Sequence, residues 1–199
     1  MWLGTYAFAL QLKQRDGATS DQDRERSWFE RKILGTATRQ IRNTLRFLNE
    51  NDVVTITNER GHAFDVRGAQ LEGVISILVF IGSPALPEDC WRKRYHVSTT
   101  TGCFIHIVPA DDYFKILEIL RVPADIREYF AYREKVLPQV DPQGVTEADI
   151  MGSFIANEAL PTGTSRDHLR HFVQDLREFD ISRLIGNLAD HENDDGSQK

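Results

Sequence analysis

Two polar side chains follow an apolar segment near the start of the chain. Residues 7–10 are apolar, and Gln11, Leu12 and Lys13 come directly after them. In a strand the residues at i and i+2 share a face, so Gln11 and Lys13 can line one cleft at the end of a buried strand. A lysine there can orient or deprotonate a water molecule, or stabilise a developing phosphorane. The glutamine offers a neutral oxygen that can ligate Mg²⁺, where a carboxylate is more usual.

The alternative interpretation of these two residues is structural. A strand that simply leaves the core at Gln11 would expose both side chains to solvent, and a motif this short often occurs by chance. The sequence that follows favours the functional interpretation, because a basic segment and a long amphipathic helix carrying Gln40 come next. We therefore treat Gln11, Lys13 and Gln40 as the candidate catalytic residues.

Charge is unevenly distributed along the chain. The 199 residues carry a net charge of −6, which excludes a globally basic nucleic-acid-binding protein. Between Gln11 and Arg46, however, nine basic residues stand against five acidic ones. Such a local basic surface can meet phosphates, although an ordinary solvated helix surface is the alternative. The residues that we predict to contact nucleic-acid phosphates are Arg15, Arg39, Arg42 and Arg46, the last three from one region of the predicted helix.

Hydrophobic periodicity predicts the elements that position these residues. Residues 5–13 alternate as in a strand with one buried face, and the polar residues 14–26 predict a loop. Ser27 and Glu30 form a capping box before apolar residues at helical spacing, which predicts a long helix over residues 27–51. The further predicted strands are 53–57, 63–66, 73–81 and 103–108, and the further predicted helices are 111–120 and 124–136.

This element order predicts an α/β core with a mixed central sheet and a long helix after the first strand. The predicted parts of the chain are an α/β core at 1–137, a linker at 138–145 with two prolines and a glycine, a helical appendage at 146–190 and a disordered acidic tail at 191–199. Two cysteines exclude a disulfide scaffold. No apolar run is long enough for a membrane helix, so we expect no membrane partner and a cytoplasmic location.

The pair Gln11 and Lys13, in a strand followed by a long helix and two further strands, resembles the PD-(D/E)XK nuclease superfamily. In that fold a strand carrying (D/E)-x-K lies beside a strand carrying an Asp. The Mrr-like restriction nucleases have Q-x-K instead, and the nuclease-related domain of many bacterial proteins is similar in layout. The resemblance covers residues 5–81, and Gln40 matches an extra polar residue that family members often carry on the helix.

The resemblance implies a restriction-endonuclease-like fold that hydrolyses DNA phosphodiester bonds with Mg²⁺. Gln11 would then help to ligate the metal, Lys13 would position or activate the attacking water, and Gln40 would support both. The family's metal-binding Asp lies on the strand before Q-x-K, and none of residues 1–4 is acidic. Without that carboxylate Mg²⁺ lacks its main anionic ligand, so catalysis in this chain is in question.

Two other classes of function follow from that departure. One is a non-catalytic module with a nuclease-like fold that binds nucleic acid, DNA or RNA, or a protein. The other is a scaffold whose helical part after Pro138 is the docking element. The absent strand would also leave residues 5–13 with one unpaired side, which favours upstream sequence, a homodimer or a partner strand that completes the sheet.

Overall fold

A computed structural model describes residues 2–3, 6–17, 19–141 and 144–156 of the chain. The strands are β1 (Trp2–Leu3), β2 (Tyr6–Gln14), β3 (Val54–Thr57), β4 (Ala63–Val66), β5 (Gly73–Ile81), β6 (Tyr95–Val97) and β7 (Phe104–Pro109). The helices are α1 (Gln22–Trp28), a π-helix (Phe29–Ala37), α2 (Thr38–Glu50), α3 (Glu88–Trp91), α4 (Ala110–Ile119), α5 (Pro123–Val136) and α6 (Glu147–Ala156). The chain forms two compact units, Met1–Glu147 and Ala148–Lys199. The seven strands and the helices up to α5 belong to the first unit.

Five strands form a mixed sheet in the order β1-β2-β5-β7-β6. The pairs β2–β5 and β5–β7 are parallel, and β1 and β6 are antiparallel to their neighbours. The predicted α/β class with a mixed sheet and a long helix is therefore confirmed. The continuous apolar run 73–81 is the central strand β5, and the hairpin β3–β4 forms a separate two-stranded sheet.

The two faces of the five-stranded sheet are covered by different helices. Leu78 and Phe80 of β5 pack with Phe29, Ile33 and other residues of the long helix that runs over residues 22–50. The alternate residues of β5 and β7 face α4 and α5, where His106 packs against Phe130 with ring centroids 4.9 Å apart. We call these the long-helix face and the α4–α5 face. Burial on both faces explains why β5 is apolar except for Ser76.

The long helix begins earlier than its sequence predicts. Its N-cap is Asp21, whose side chain accepts hydrogen bonds from the backbone N–H groups of Asp23 and Arg24. The predicted start at Ser27 is wrong, and so is the last part of the predicted loop at residues 14–26. The first turn is held by Glu25, a buried carboxylate paired with Arg15, and hydrophobic periodicity does not register a buried ion pair.

The middle of the long helix is a π-helix rather than an α-helix. Thr36 donates its hydroxyl to the carbonyl of Arg31, five residues earlier. Its buried residues Phe29, Ile33 and Ala37, with Ile41 of α2, follow one another at intervals of four. Residues four apart drift around an α-helix in one direction and around a π-helix in the other, so the wider turns keep this row over the sheet.

Strand β2 is an edge strand over most of its length. β1 pairs with Tyr6 and Ala7, and beyond Ala7 no strand among the described residues lies on that side of β2. The predicted unpaired side is therefore present from Phe8 onward. Leu10 and Leu12, which point to the α4–α5 face, are 50% and 56% exposed, so the helices of that face stop short of this edge.

Strands β3, β4, β5 and β7 and helices α4 and α5 lie close to their predicted positions, whereas β1, α3 and β6 were not predicted. The part of the predicted helical appendage beyond residue 156 and the tail at 191–199 lie outside the described residues. The four-part domain division also stays a prediction. Within the described ranges, no helix has the length and apolarity that crossing a membrane requires.

Candidate functional site

Gln11 and Lys13 lie on the long-helix face of β2. In the parallel register Gln11 is level with Leu78 and Lys13 is level with Phe80, and both of those residues pack under the long helix. Both polar side chains are half-buried. The prediction that they share one face is therefore confirmed, and they lie where the edge strand meets the helix.

The helix runs antiparallel to β2. Its first turn is tied to the carboxyl end of the strand, because Arg15 Nε lies 3.0 Å from Glu25 Oε2. Its last turns meet the amino half of the strand, where Thr44 and Leu48 line a cavity together with Ala9. We call the line along which β2 and the long helix meet the seam.

Gln40 lies on the side of the helix that faces the seam. It precedes Thr44 by one turn, and Thr44 shares a cavity with Ala9. Gln11 follows Ala9 by two residues, or about 6.6 Å of strand, which is close to the 5.4 Å pitch of a helix. Because strand and helix are antiparallel, these spacings put Gln40, which is exposed, at a level close to that of Gln11, with Lys13 further along the strand.

The side chains of these three residues, Gln11, Lys13 and Gln40, have no hydrogen-bonding or ion-pair partner among the described residues. Their polar groups are therefore available to a ligand. A half-buried lysine without a carboxylate partner is a positive charge close to low-dielectric protein, where anions are attracted more strongly than in bulk water.

The carboxyl end of the seam opens into a basic cleft. Its cationic residues are Arg15, Arg24, Arg31 and Lys32, and Ser27, Trp28, Asp23 and Glu30 complete its walls. Arg15 is committed to Glu25, which lowers the pKa of that carboxyl. Arg31 and Lys32 are exposed and have no ion pair with another described residue. The cleft therefore brings two cations without an ion pair in the described part of the chain, Arg31 and Lys32, to the end of the seam, beside the carboxylates of Asp23 and Glu30.

The opposite end of the seam opens into an apolar cavity of about 210 Å³. Its walls come from three elements: Ala7, Phe8 and Ala9 of β2, Thr44, Phe47 and Leu48 of α2, and Val54, Ile56, Phe64 and Val66 of the hairpin β3–β4. The hairpin alternates, so that its apolar residues face the cavity while Thr55 and Asp65 bond each other on its outer side. Sequence reasoning missed this cavity, although the alternation of the hairpin was the signal for it.

Three of the four arginines predicted to bind phosphates lie apart from Gln11, Lys13 and Gln40. Arg39, Arg42 and Arg46 share one side of α2, as their spacing predicts. Arg39 and Arg46 are exposed, whereas Arg42 is half-buried and its buried Nε has no hydrogen-bond partner among the described residues. Arg42 lies toward β6 at the other edge of the sheet, where burial, Lys93 and then Arg42 lower the pKa of His96. Arg46 pairs with Glu50 at 3.9 Å.

The α4–α5 face holds a second set of polar residues, centred on Arg133, whose N–H groups are all used by other groups of the protein. Arg133 is fully buried, and its guanidinium donates to both carboxylate oxygens of Glu147 at 2.8 and 3.0 Å. Its other N–H groups meet the carbonyls of Arg94 and Ile107 and the Nδ1 of His106. All five donors of Arg133 therefore have partners.

The same cluster perturbs its neighbours strongly. Burial lowers the pKa of His106 well below its usual value, and the charge of Arg133 adds to the effect. Burial also raises the pKa of Tyr129, whose hydroxyl bonds Glu147. Perturbed pKa values often mark functional sites. Here each charge is paired, and no cavity described above reaches the cluster, so we assign it to the stability of the fold.

Cys103 and His106 are three residues apart, a spacing that puts two side chains of a strand on opposite faces of the sheet. Cys103 packs in the core of the long-helix face, and its Sγ lies 3.8 Å from the Ser76 hydroxyl. His106 bonds Arg133 on the other face. The two side chains therefore point to opposite faces and form no nucleophile–base pair.

Comparisons with protein-family models, with curated proteins and with solved structures give no significant match to this chain.

Proposed function

We propose that the seam binds the phosphate backbone of a nucleic acid. The observation that carries this proposal is a line of polar and cationic side chains along an open sheet edge, from Gln40 and Gln11 through Lys13 to Arg31 and Lys32, none of which forms an ion pair with another described residue. Arg31 donates one hydrogen bond, from Nε to the carbonyl of Ser27. These groups follow an extended strand, and a polymer with regularly spaced anions fits such a line better than a single small anion does. Ligands of open α/β sheets commonly bind outside the carboxyl ends of parallel strands, where the basic cleft lies.

Electrostatics support the same proposal. Most nucleic-acid affinity comes from cations that neutralise phosphates and release counterions. The chain as a whole is acidic, so repulsion elsewhere would restrict a nucleic acid to this basic surface. Arg39, Arg42 and Arg46 lie on another side of the helix and would add contacts only for a ligand that wraps around it.

We also propose that the core is restriction-endonuclease-like, as the resemblance implies. The supporting features are the parallel pair β2–β5, the long helix between them, and Gln11 with Lys13 on the edge strand. β1 lies beside β2, in the neighbouring position where the family carries its Asp, and residues 1–4 of this chain bring no acid.

The donor set at the seam does not fit a magnesium site. Gln11 brings one neutral oxygen, and Mg²⁺ is usually bound through one or two carboxylates. The described residues contain no group of three His, Cys, Asp or Glu side chains that could hold a metal ion. We therefore derive no step through a metal from these residues.

Phosphodiester hydrolysis is the second candidate function. The specific observation in its favour is that Gln11, Lys13 and Gln40 lie at nearby levels of one seam. Lys13 could then orient water against a bound phosphodiester. A cleavage assay with supercoiled plasmid and Mg²⁺ or Mn²⁺ tests it: cleavage that is lost in Lys13→Ala supports hydrolysis, and equal cleavage by both proteins contradicts a role for Lys13.

The binding proposal is tested by titrating the full chain against a fluorescein-labelled oligonucleotide at several salt concentrations. We expect Lys13→Ala combined with Lys32→Ala to weaken binding about tenfold or more and to reduce the salt slope by about two, because two phosphate contacts are removed. Lys135→Ala, an exposed charge on α5, is the matched control and should change neither quantity. Binding that the double variant leaves unchanged would contradict the proposal.

A partner strand on β2 is a further proposal, supported by its open edge and by the exposed Leu10 and Leu12. A second copy of the chain pairing antiparallel about Gln11 would set Leu10 opposite Leu12. Sedimentation of Leu12→Lys against the parent tests it. A parent dimer that the variant dissociates supports pairing through β2, and a monomeric parent contradicts it.

A further inference from the structure

The apolar cavity at the amino end of the seam is large enough for an aromatic ring. Its volume is about 210 Å³, whereas an engineered apolar protein cavity of about 150 Å³ binds benzene. Its three walls come from β2, α2 and the hairpin β3–β4, so an occupant would be covered from several directions. Thr44 brings the only side-chain hydroxyl among its lining residues.

Two aromatic side chains at the cavity are poorly covered by the protein itself. Phe47 of α2 is 54% exposed and Phe64 of the hairpin is 46% exposed. They lie on different walls, so a flat ring placed in the cavity can contact both. Large apolar side chains left half-exposed around one concave site are a common mark of binding surfaces.

The hairpin gains most from an occupant. It is a two-stranded sheet that pairs with no other strand among the described residues. Of its four inward residues only Val66 is buried, whereas Ile56 is 42% exposed. Two-stranded hairpins are marginally stable alone. A ring held between hairpin and helix would bury apolar surface on both.

The cavity is continuous with the phosphate-binding line. Ala9 lines the cavity, and Lys13 lies four residues further along the same strand and face, at a distance of about 13 Å. Gln11 and Gln40 lie between them. A ligand that fills both places therefore has an apolar flat group at one end and a chain of anions leading away from it along an extended path.

We infer that the cavity receives one unpaired base of a single-stranded nucleic acid whose phosphates follow the seam to Lys13 and the basic cleft. This inference rests on the proposed function and names its substrate class. Bases of a duplex are paired and stacked, so they cannot enter the cavity without unpairing. The nearly apolar walls read no hydrogen-bonding edge, so the preference is for single strands and tolerates sequence.

The experiment compares two ligands and four proteins. The ligands are labelled oligothymidylate and the duplex that it forms with oligoadenylate. The proteins are the full chain, Phe64→Ala, Phe64→Leu and the control Phe114→Ala, which removes an exposed ring from α4. Phe64→Leu keeps an apolar side chain on the hairpin, so it removes ring stacking while preserving apolar packing. Dissociation constants are measured by fluorescence anisotropy at low salt.

We expect the parent to bind the single strand more tightly than the duplex. Phe64→Ala and Phe64→Leu should each weaken single-strand binding about tenfold and leave duplex binding within about twofold, in line with the loss of one stacked base. Phe114→Ala should change neither. Equal affinity for both ligands, or single-strand binding that is unchanged in both Phe64 variants, would overturn the inference while the phosphate proposal stands.

Two other outcomes point elsewhere. If neither ligand binds in a salt-dependent way, the proposed function itself fails. If decanoate binds the parent, is lost in Phe64→Ala and leaves oligothymidylate binding unaffected by that variant, the cavity is a site for a fatty acid and the inference is wrong.

Discussion

Polar side chains on the two faces of the sheet differ in whether other groups of the protein pair with them. On the α4–α5 face Arg133 is fully buried, and every one of its N–H groups has a protein partner. On the long-helix face Lys13 and Gln11 are half-buried without any described side-chain partner. Arg133 is fully removed from bulk water and satisfied, although Nε of the neighbouring Arg94 has no hydrogen-bond partner among the described residues, whereas Lys13 and Gln11 keep part of their surface in contact with water. The difference separates residues that hold the fold from residues that can hold a ligand.

The first way to break this comparison is to remove Arg133, which leaves Glu147 with the Tyr129 hydroxyl and with Arg94 at 3.8 Å. Arg133→Met removes both bonds to that buried carboxylate, and breaking a buried ion pair costs about 3–5 kcal/mol of unfolding free energy. Urea denaturation of the variant should show this loss, while Arg127→Met, on the same helix but partly exposed, should lose under about 1 kcal/mol. A loss below about 1 kcal/mol in Arg133→Met would contradict a structural role for the cluster.

The second test concerns the ion pair that anchors the long helix. Glu25→Gln removes the charge that accepts both Arg15 bonds, and we expect a loss of about 2 kcal/mol at neutral pH. The folded-state pKa of Glu25 is lowered, so its contribution is present above the unfolded value of 4.5 and is lost as pH falls through the folded value. Stability of the parent should therefore fall below about pH 5 more steeply than that of the variant. Parallel curves would contradict this account.

Hydrophobic patterns in the sequence predict part of this structure and miss the buried charges. Strand β5 and the alternation that puts Gln11 and Lys13 on one face follow from hydrophobic patterns, and both are confirmed. The helix start was misplaced because Glu25 is a buried charge, which a hydrophobic pattern registers as surface. The buried ion pair of Arg133 and Glu147 was not predicted, for the same reason. The shared side of Arg39, Arg42 and Arg46 could be predicted from spacing, but its direction depends on tertiary packing.

A third prediction concerns His106, whose pKa is lowered well below 6.5 by burial and by Arg133. Below pH 6.5 the unfolded chain binds a proton that the folded chain does not. The free energy of unfolding therefore decreases as the pH is lowered. Its slope is at most about 1.4 kcal/mol per pH unit, or roughly 1 kcal/mol between pH 7 and 5.5.

His106→Gln tests this contribution. The variant keeps an acceptor for Arg133 and removes the titration, so part of the slope between pH 7 and 5.5 should disappear from its stability curve. The pKa of His96 is also lowered, and its contribution should remain. An unchanged slope would show that His106 does not control this range.

The smallest predicted effect is that of replacing Arg46, an exposed charged residue of α2. Arg46 is exposed, its pair with Glu50 spans 3.9 Å, and it lies on the side of α2 away from the seam. Arg46→Ala should change unfolding free energy by less than about 0.5 kcal/mol, because exposed ion pairs contribute little. It should also change oligonucleotide affinity by less than about twofold. A large loss of binding would move the nucleic-acid surface to the outer side of the helix.

The most direct test of the central claim is amide chemical-shift mapping of the ¹⁵N-labelled full chain during titration with oligothymidylate. The account predicts that the largest shifts lie along the seam, in residues 7–15 of β2 and residues 31–47 of the long helix. Residues 123–136 of α5 should stay unchanged. Shifts concentrated around Arg133 and α5, with none along β2, would contradict the assignment of the seam to binding and of the buried cluster to stability.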